Sequence, residues 1–577
     1  MNLPRIRSLR RIPRRGFAAL AVALVGACAT GPVEPDRAAR APELTGFGEL
    51  QVPISTASAA AQRWYTQGVL QAYAFNEIEA VRMFKAALAA DPACAMCAWG
   101  VAWQLGPNIN STGRGKVPGA LPYLDLALRH AANVTPRERA MIDALALRYA
   151  HASQAKETAP LLAERCGPNG AMGDDDDKAD PLDLLYADRL HQLMLAAPTD
   201  PEIVVLWAEA EMVATRDEWW PAGGGPAAGR IGEVATVLER ALALHPQHIG
   251  LNHYMIHAVD ADGVAARAVA AADRLGGLAP ASPHLVHMPA HTYIHVGRYA
   301  DATQVNQAAV AADLALADVQ KTQGFTVSKD WRNHDQHFLW FAALMQGRGD
   351  VALEAARSIA ERAAQAENIY GEYRRSLPLL ALMRLQRWDA VLAEPQPAGK
   401  LGLAQVLGQQ ARGVALARTG RVREARAALV QADTGAAAVN RAHASNKGWD
   451  RTLRDMVSAS TDRLRAEIAL AEGRPDTALA LQAQAVAESR RADDSEPPML
   501  AAGERLALGE MQLRAGRAKQ AEQTFRDDLA ALPDSGWALD GLARALNAQG
   551  KAAEAKALQP QLDRAWALAD PGLRAGR

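Results

Sequence analysis

The 577-residue sequence is poor in aromatic residues, in cysteine and in net charge. Phe, Trp and Tyr make up only 5% of the chain and β-branched runs are scarce, so an extensive β-sheet is not indicated. Its 63 Lys and Arg nearly balance 64 Asp and Glu, and no basic stripe interleaved with aromatic residues is present, so we expect no nucleic-acid partner. Alanine- and leucine-rich segments such as EAVRMFKAALAA favour helices, and we predict an all-α fold.

The sequence also lacks an apolar run that would cross a membrane in the mature chain. An Arg-rich start and the short apolar run 16–27 are typical of an export signal. The string VGAC at 25–28 resembles a bacterial lipobox, in which the cysteine is lipidated, and Ala29 then implies the outer membrane. We predict a signal peptide over 1–28, a lipid anchor at Cys28 and a periplasmic location. The alternative is a soluble protein whose signal is cut near the same place.

Only three cysteines follow Cys28, an odd number for an oxidising compartment. Cys94 and Cys97 enclose two residues, a spacing that suits either a small disulfide or two thiolate ligands of a metal. No histidine follows them to make a haem attachment site. The spacing alone leaves the disulfide and the metal site open.

Residues 29–60 carry Pro, Ala, Gly and Thr without a period, which predicts a flexible tether. From Ala61 the chain fits a 34-residue two-helix pattern that resembles a tetratricopeptide repeat, and the fit recurs from Ala502 and Gly536. We therefore predict a helix-pair solenoid, elongated or curled closed, with repeat-like regions over 61–332 and 333–577. The glycines assigned to the turn between paired helices are Gly263, Gly297, Gly347, Gly420, Gly473, Gly516 and Gly550.

Histidines are concentrated in three successive repeats, which start at Ile249, Pro283 and Asn333. This register is fixed by glycine, alanine and proline and does not depend on histidine. In tetratricopeptide arrays, positions 2, 5, 9, 12 and 13 of each repeat line the inner, concave surface. Eight histidines and one aspartate occupy such positions: His253, His257, Asp260, His284, His287, His291, His295, His334 and His337.

The segment PHLVHMPAHTYIH, residues 283–295, holds four of these histidines within about an 80° arc of one helix. Pro289 interrupts it, because proline removes a backbone hydrogen bond inside a helix. Either the helix bends at Pro289 or it begins there, and we expect the bend.

This clustering of histidines on one surface has three interpretations. Neutral imidazoles at i and i+4 on one helix and on its neighbours suit zinc or copper, and three such ligands leave room for an activated water. The histidines could instead line a groove that binds a peptide or an anionic ligand. They could also have a purely structural role and form hydrogen bonds with one another between the packed helices. We predict a metal site formed by His253, His257, Asp260, His284, His287, His291, His334 and His337.

Several strings together resemble a bacterial family of exported tetratricopeptide proteins that has no firmly established activity. They are CAMCAWG, LGPNIN, NHYMIHAVD, HMPAHTYIH and NHDQHF. The resemblance spans most of residues 61–560 and implies histidine at the positions of all seven predicted metal-binding histidines, whereas His295 stands where arginine is usual. The SEPP string near the C-terminus matches, but MLAAGERL follows it where an aromatic segment is expected, so no shared role is implied there.

We therefore expect an envelope-anchored repeat protein whose concave groove binds a protein or peptide partner and, through its histidines, zinc or copper. The alternative is a metal-dependent enzyme, hydrolytic or redox, with the histidine cluster as its active site. The sequence contains no nucleophile elbow, phosphate loop or HExxH helix, so an enzyme would have to use the metal itself.

Overall fold

The computed structural model confirms the all-α prediction. It describes residues 40–575 except 112, 159–178, 216–218, 222–224, 328–330, 446–447 and 493–496. In this part of the chain there are 27 α-helices and no β-strand. The lipobox, Cys28 and Cys166 lie outside the described residues.

The first half of the described chain contains thirteen helices, most of them 10 to 16 residues long. They are α1 (Ala59–Tyr73), α2 (Glu77–Ala90), α3 (Ala95–Gln104), α4 (Val117–His130), α5 (Pro136–Arg148), α6 (Pro181–Ala196), α7 (Pro201–Ala214), α8 (Ile231–Leu244), α9 (Ile249–Ala258), α10 (Val269–Leu278), α11 (Pro283–His287), α12 (Pro289–His295) and α13 (Tyr299–Thr322).

The second half contains fourteen helices and begins with the third histidine-rich repeat. They are α14 (Arg332–Met345), α15 (Gly349–Arg362), α16 (Ile369–Arg384), α17 (Trp388–Ala393), α18 (Leu403–Arg418), α19 (Val422–Ala442), α20 (Gly448–Ala471), α21 (Pro475–Ala492), α22 (Ala501–Arg514), α23 (Ala518–Ala531), α24 (Gly536–Ala548), α25 (Ala552–Ala557), α26 (Gln559–Ala565) and α27 (Pro571–Ala575).

Successive helices stack as pairs, which makes the molecule a helix-pair superhelix. Neighbours in sequence pack against each other, and helices two apart are also in contact, as in α1 with α3 and α18 with α20. Small residues make this close stacking possible: an added Cβ at Gly68 would lie 2.6 Å from Phe84, and one at Gly509 would lie 2.6 Å from Phe525. The same contact thus recurs near both ends of the array.

The predicted repeat register is confirmed by backbone conformation. All seven glycines assigned to turns have positive φ angles, between 70° and 81°, a region that L-residues with a side chain rarely adopt. In the first repeat the equivalent position is Phe75, whose φ is +51°. A bulky side chain therefore occupies a turn position that the seven repeats named above give to glycine.

The superhelix is curled closed, because both ends of the described chain pack on its middle. At the N-terminal end, Glu43 exchanges two hydrogen bonds with Gln323, and Gln320 donates to Glu79. At the C-terminal end, Trp537 Nε1 donates to the Leu344 carbonyl over 2.7 Å.

Residues 41–58 do not form the flexible tether that their composition predicted. Leu44, Phe47 and Val52 are buried in the core, and the Gly46 carbonyl accepts a hydrogen bond from Ala281 N. Three apolar side chains spaced among Pro and Gly are enough to hold this segment against the histidine-rich repeats. Only the part before residue 40 remains a predicted tether.

A search of the described helices finds none whose length and hydropathy would carry it across a bilayer.

Candidate metal centre

Six of the eight predicted metal residues come together in two groups of three. Triad A consists of His253, His257 and His284, and triad B consists of His287, His291 and His334. Within each triad, one ring nitrogen from every histidine lies within 4.8 Å of the other two.

The two triads are built from the same repeat positions. Each takes positions 5 and 9 of one repeat, which are four residues apart on one helix face, and position 2 of the next repeat. Triad A thus joins α9 to α11, and triad B joins α11 and α12 to α14. Pro289 divides α11 from α12, but Met288 keeps helical dihedrals, so the helix is interrupted there and does not begin there.

In triad A the three rings converge on His253. Its Nε2 lies 3.1 Å from His257 Nε2 and 3.1 Å from His284 Nε2. Its Nδ1 lies 2.7 Å from the backbone carbonyl of Tyr73, the last residue of α1. Because a carbonyl only accepts, His253 Nδ1 carries the proton and Nε2 presents a lone pair to the triad.

In triad B two rings are oriented in the same way by side chains. His287 Nδ1 lies 2.6 Å from Asn306 Oδ1, and the Asn306 amide nitrogen is fixed by donating to the Ala302 carbonyl. His291 Nδ1 donates to Asp260 Oδ2 over 2.8 Å. Both Nε2 atoms are therefore unprotonated in the neutral rings.

These two Nε2 atoms face each other at 3.1 Å. Two lone pairs repel at this distance unless a cation lies between them. A metal held by imidazole nitrogens at about 2.0–2.1 Å would place those nitrogens about 3.3–3.6 Å apart, which is close to the observed spacing. The geometry of His287 and His291 therefore fits a bound metal ion.

Burial favours the neutral form of four of the six imidazoles. His253 and His287 are fully buried, and burial holds the pKa of each well below its usual value. Burial lowers the pKa of the partly exposed His257 and His334 to about 3. Neutral imidazoles are the form that binds metal, so the ligands need to lose few protons on binding.

A phenyl ring covers each triad. Phe75 contacts all three rings of triad A, with centroid distances of 4.5 Å to His253, 5.4 Å to His257 and 5.0 Å to His284. The positive φ of Phe75 aims its side chain at these rings from the turn after α1.

Phe338, on α14, has the same relation to triad B. Its centroid lies 4.6 Å from His287, 4.4 Å from His291 and 5.0 Å from His334. Both phenyl rings are almost fully buried. The two triads are thus alike in ligand positions and in their apolar covers.

Asp260 and His337 are not among the converging ligands. Although burial opposes ionisation of Asp260, its contacts with His291 and His295 hold its pKa well below the usual range, so it orients His291 as a carboxylate. His337 Nε2 instead pairs with Tyr373 Oη at 2.9 Å. His337 occupies position 5 of its repeat, but Phe341 stands at position 9, so a third triad cannot form.

The sequence patterns did not predict the groups that orient and cover the triads. They are Tyr73, Phe75, Asn306, Phe338 and Trp331, whose ring stacks on His284 at 4.4 Å. The signals were weak but present. Asn306 is a polar residue on a helix face that packs on the core, and Phe75 replaces a turn glycine of the repeat. The Tyr73 contact uses a backbone carbonyl, which no sequence pattern reveals.

Cys94 and Cys97 form a disulfide at the start of α3. Both are buried, and neither belongs to a triad. Of the two alternatives for the Cys94–Cys97 spacing, a disulfide or a pair of metal-binding thiolates, the structure shows the disulfide.

No family model matches the chain, and no curated protein matches it. Among solved structures, it is similar to the P58(IPK) TPR domain at 11% identity and a TM-score of 0.22, covering 85% of this chain and 99% of that one. Yeast Tom70 matches at 11% identity and a TM-score of 0.27, with 89% and 95% covered. The human IFIT1 dimer with m7Gppp-AAAA matches at 11% identity and a TM-score of 0.31, with 88% and 91% covered. These similarities are too low to say anything about the site.

Proposed function

We propose that the protein binds two transition-metal ions, copper or zinc, one in each histidine triad. The observation that carries the proposal is the 3.1 Å contact between the Nε2 atoms of His287 and His291, whose Nδ1 protons are both donated elsewhere. A cation between these lone pairs relieves their repulsion.

The donor set points to copper or zinc. All converging atoms are imidazole nitrogens, which suit both metals, whereas calcium and magnesium prefer oxygen. Three protein ligands leave one coordination position for water or another small ligand. An enzyme with these triads as its active site, hydrolytic with zinc or redox with copper, is the alternative reading of the same geometry.

A protein or peptide partner on the repeat array remains part of the proposal, but it would not lie on the histidines. Phe75, Phe338 and the closed superhelix bury the positions that line an open groove in the predicted arrangement. Metal binding and partner binding would therefore use separate surfaces.

The proposed setting is the periplasm, with the chain anchored to the outer membrane through Cys28. The buried disulfide between Cys94 and Cys97 supports an oxidising compartment. Labelling with a radioactive fatty acid tests the anchor, since the label should enter the wild-type protein and not the Cys28→Ala variant. Equal labelling, or none in the wild type, would exclude the anchor at Cys28.

Elemental analysis of untagged protein purified from its native compartment tests the metal sites. We expect two ions per chain in the wild type and one in His257→Ala or His334→Ala. These variants are chosen because both side chains are partly exposed, so their loss perturbs the core least. His443→Ala, a change to a half-buried histidine in the C-terminal half, is the matched control and should retain both ions. A wild-type protein without bound metal, also after incubation with either ion, would overturn the proposal.

A further inference from the structure

We infer that the two triads form one dinuclear copper centre that binds dioxygen between its two ions. This inference rests on the proposed metal binding and assigns the metal, the coupling of the sites and the ligand.

The two triads are contiguous. The ring centroids of His257 and His291 are 6.4 Å apart, and those of His284 and His287 are 6.3 Å apart. Within triad A, the widest separation, between His257 and His284, is 6.2 Å. These rings of the two triads are thus about as far apart as the two most distant rings of triad A, so ions in both triads would be close enough to share a small bridging ligand.

The donors and charges favour copper over zinc. Six neutral imidazoles contribute no charge, and copper(II) binds nitrogen donors more tightly than the other divalent first-row metals. Two carboxylates contact the rings: Asp260 on His291, and Asp335 at 3.6 Å from His287 Nδ1. A Cu(I) ion brings one positive charge and a zinc ion two, so two Cu(I) ions leave less uncompensated charge than two zinc ions in this buried site beside the Asp260 carboxylate.

The same charges favour a ligand that takes up two electrons. When dioxygen binds, each Cu(I) ion gives up one electron and becomes Cu(II), and the oxygen molecule becomes a dianion that bridges the ions. Two copper–oxygen bonds form, the oxygen–oxygen bond remains, and no proton is transferred. The two positive charges gained by copper are matched by the two negative charges gained by the bridge. A small organic reductant such as ascorbate supplies the cuprous state.

The surroundings suit a small apolar ligand. Phe75 packs on the imidazoles of triad A and Phe338 on those of triad B, and both phenyl rings shield these imidazoles from water. His257 and His334 are partly exposed, as is Trp331, which stacks on His284 at 4.4 Å. This side of the centre is therefore the more accessible to a small ligand.

The test uses the full-length protein loaded with Cu(I) under nitrogen in the presence of ascorbate and then freed of excess reagent. On exposure to oxygen, we expect uptake of one dioxygen for two copper ions, measured with an oxygen electrode. Electron paramagnetic resonance should show little Cu(II) signal, because two bridged Cu(II) spins cancel. His443→Ala should behave like the wild type.

His334→Ala and His257→Ala each leave one complete triad. In both, the uptake of one dioxygen for two copper ions should be lost, and the remaining ion, once oxidised with added ferricyanide, should give the full signal of isolated Cu(II). Circular dichroism checks that each variant is folded. Because the two variants remove ligands from different triads, either one, if folded, is enough to test whether oxygen binding needs both triads.

Other outcomes separate this inference from metal binding itself. In one such outcome, the protein binds two copper ions, takes up less than one dioxygen for the two, and gives the full signal of isolated Cu(II) once oxidised. This result would exclude the dinuclear centre but would still support the two separate metal sites. Exclusive binding of zinc would do the same. A protein that binds neither metal would remove both the inference and the proposed function.

Discussion

The Nε2 atoms of His287 and His291 lie 3.1 Å apart, although each ring donates its Nδ1 proton to another group, Asn306 or Asp260. A satisfied polar seam would need a proton between the two nitrogens. Burial opposes protonation of His287, whose pKa is well below the usual value. A proton on His291, which pairs with the Asp260 carboxylate at 2.8 Å, or a metal ion would separate the two lone pairs.

Asn306→Ala should weaken metal binding at triad B alone. Without the Asn306 oxygen, His287 loses the acceptor that fixes its tautomer, and loss of such a partner lowers metal affinity by about 10–100-fold. Competition with a chelator measures the affinity of each site. Gln307→Ala, an exposed change on the same helix, is the control and should leave both affinities unchanged. Equal weakening of both triads would contradict this role of Asn306.

Phe75→Gly should open triad A to solvent without unfolding the protein. Removing a buried phenylalanine costs about 3–5 kcal/mol, and glycine recovers about 1 kcal/mol because φ is +51° at this position. We expect a net loss of stability in urea unfolding and faster release of one metal ion to a chelator.

The control for this variant is Gln386→Gly. Gln386 also has a positive φ, of 56°, but it lies in the turn between α16 and α17 and contacts neither triad. It should become more stable by about 1 kcal/mol and release metal at the wild-type rate. Unchanged metal release from Phe75→Gly would show that the phenyl ring does not protect the site.

Gly297→Ala should destabilise the fold more than Gly420→Ala. Both glycines have positive φ, near 80°, so alanine costs about 1–2 kcal/mol at either position. A Cβ at Gly297 would also lie 2.5 Å from the Pro533 carbonyl, whereas at Gly420 it would meet no atom within 4 Å. We expect the clash to add about 1–3 kcal/mol, measured by urea unfolding. Equal losses would mean that the contact between the histidine repeat and the C-terminal repeats is not tight.

Asp528 should make the protein less stable as the pH rises from about 4 to about 6. Burial raises the pKa of this carboxyl from 3.8 to about 6, so the folded state binds the proton more tightly than the unfolded state does. The stabilisation is present below pH 4 and is lost as Asp528 ionises, with a limit of about 3 kcal/mol. Asp528→Asn should remove this pH dependence from urea-unfolding curves. The exposed neighbour change Asp527→Asn should leave it in place, and an unaltered curve for Asp528→Asn would refute the assignment.

The helix-pair fold and its register could be predicted because they depend on local signals. Turn glycines such as Gly263 and Gly297 mark the repeat, and the positive φ angles confirm them. The register also predicted that histidines at positions 2, 5 and 9 face inward, and six of them do converge.

The division into two triads could not be predicted, because it depends on which rings meet across successive repeats. His337 shows this limit: its position resembles that of His253, but its neighbours are Tyr373 and Trp340, so it makes a hydrogen bond and a stacking contact instead. The packing of residues 41–58 was equally hidden, since it depends on surfaces created by repeats that lie far along the chain.

Linear repeat arrays lose their end repeats first, because an end repeat has a single neighbour. In this molecule each end repeat has a second neighbour. Near the N-terminal end, the Tyr73 carbonyl accepts a hydrogen bond from His253, and near the C-terminal end, Trp537 donates a hydrogen bond to the Leu344 carbonyl. Neither end of the described repeat array can unfold without breaking a contact with its middle. Heat or denaturant should therefore unfold all the helices in one cooperative step. An ion in triad A would further stabilise the contact between His253 and the first pair of helices.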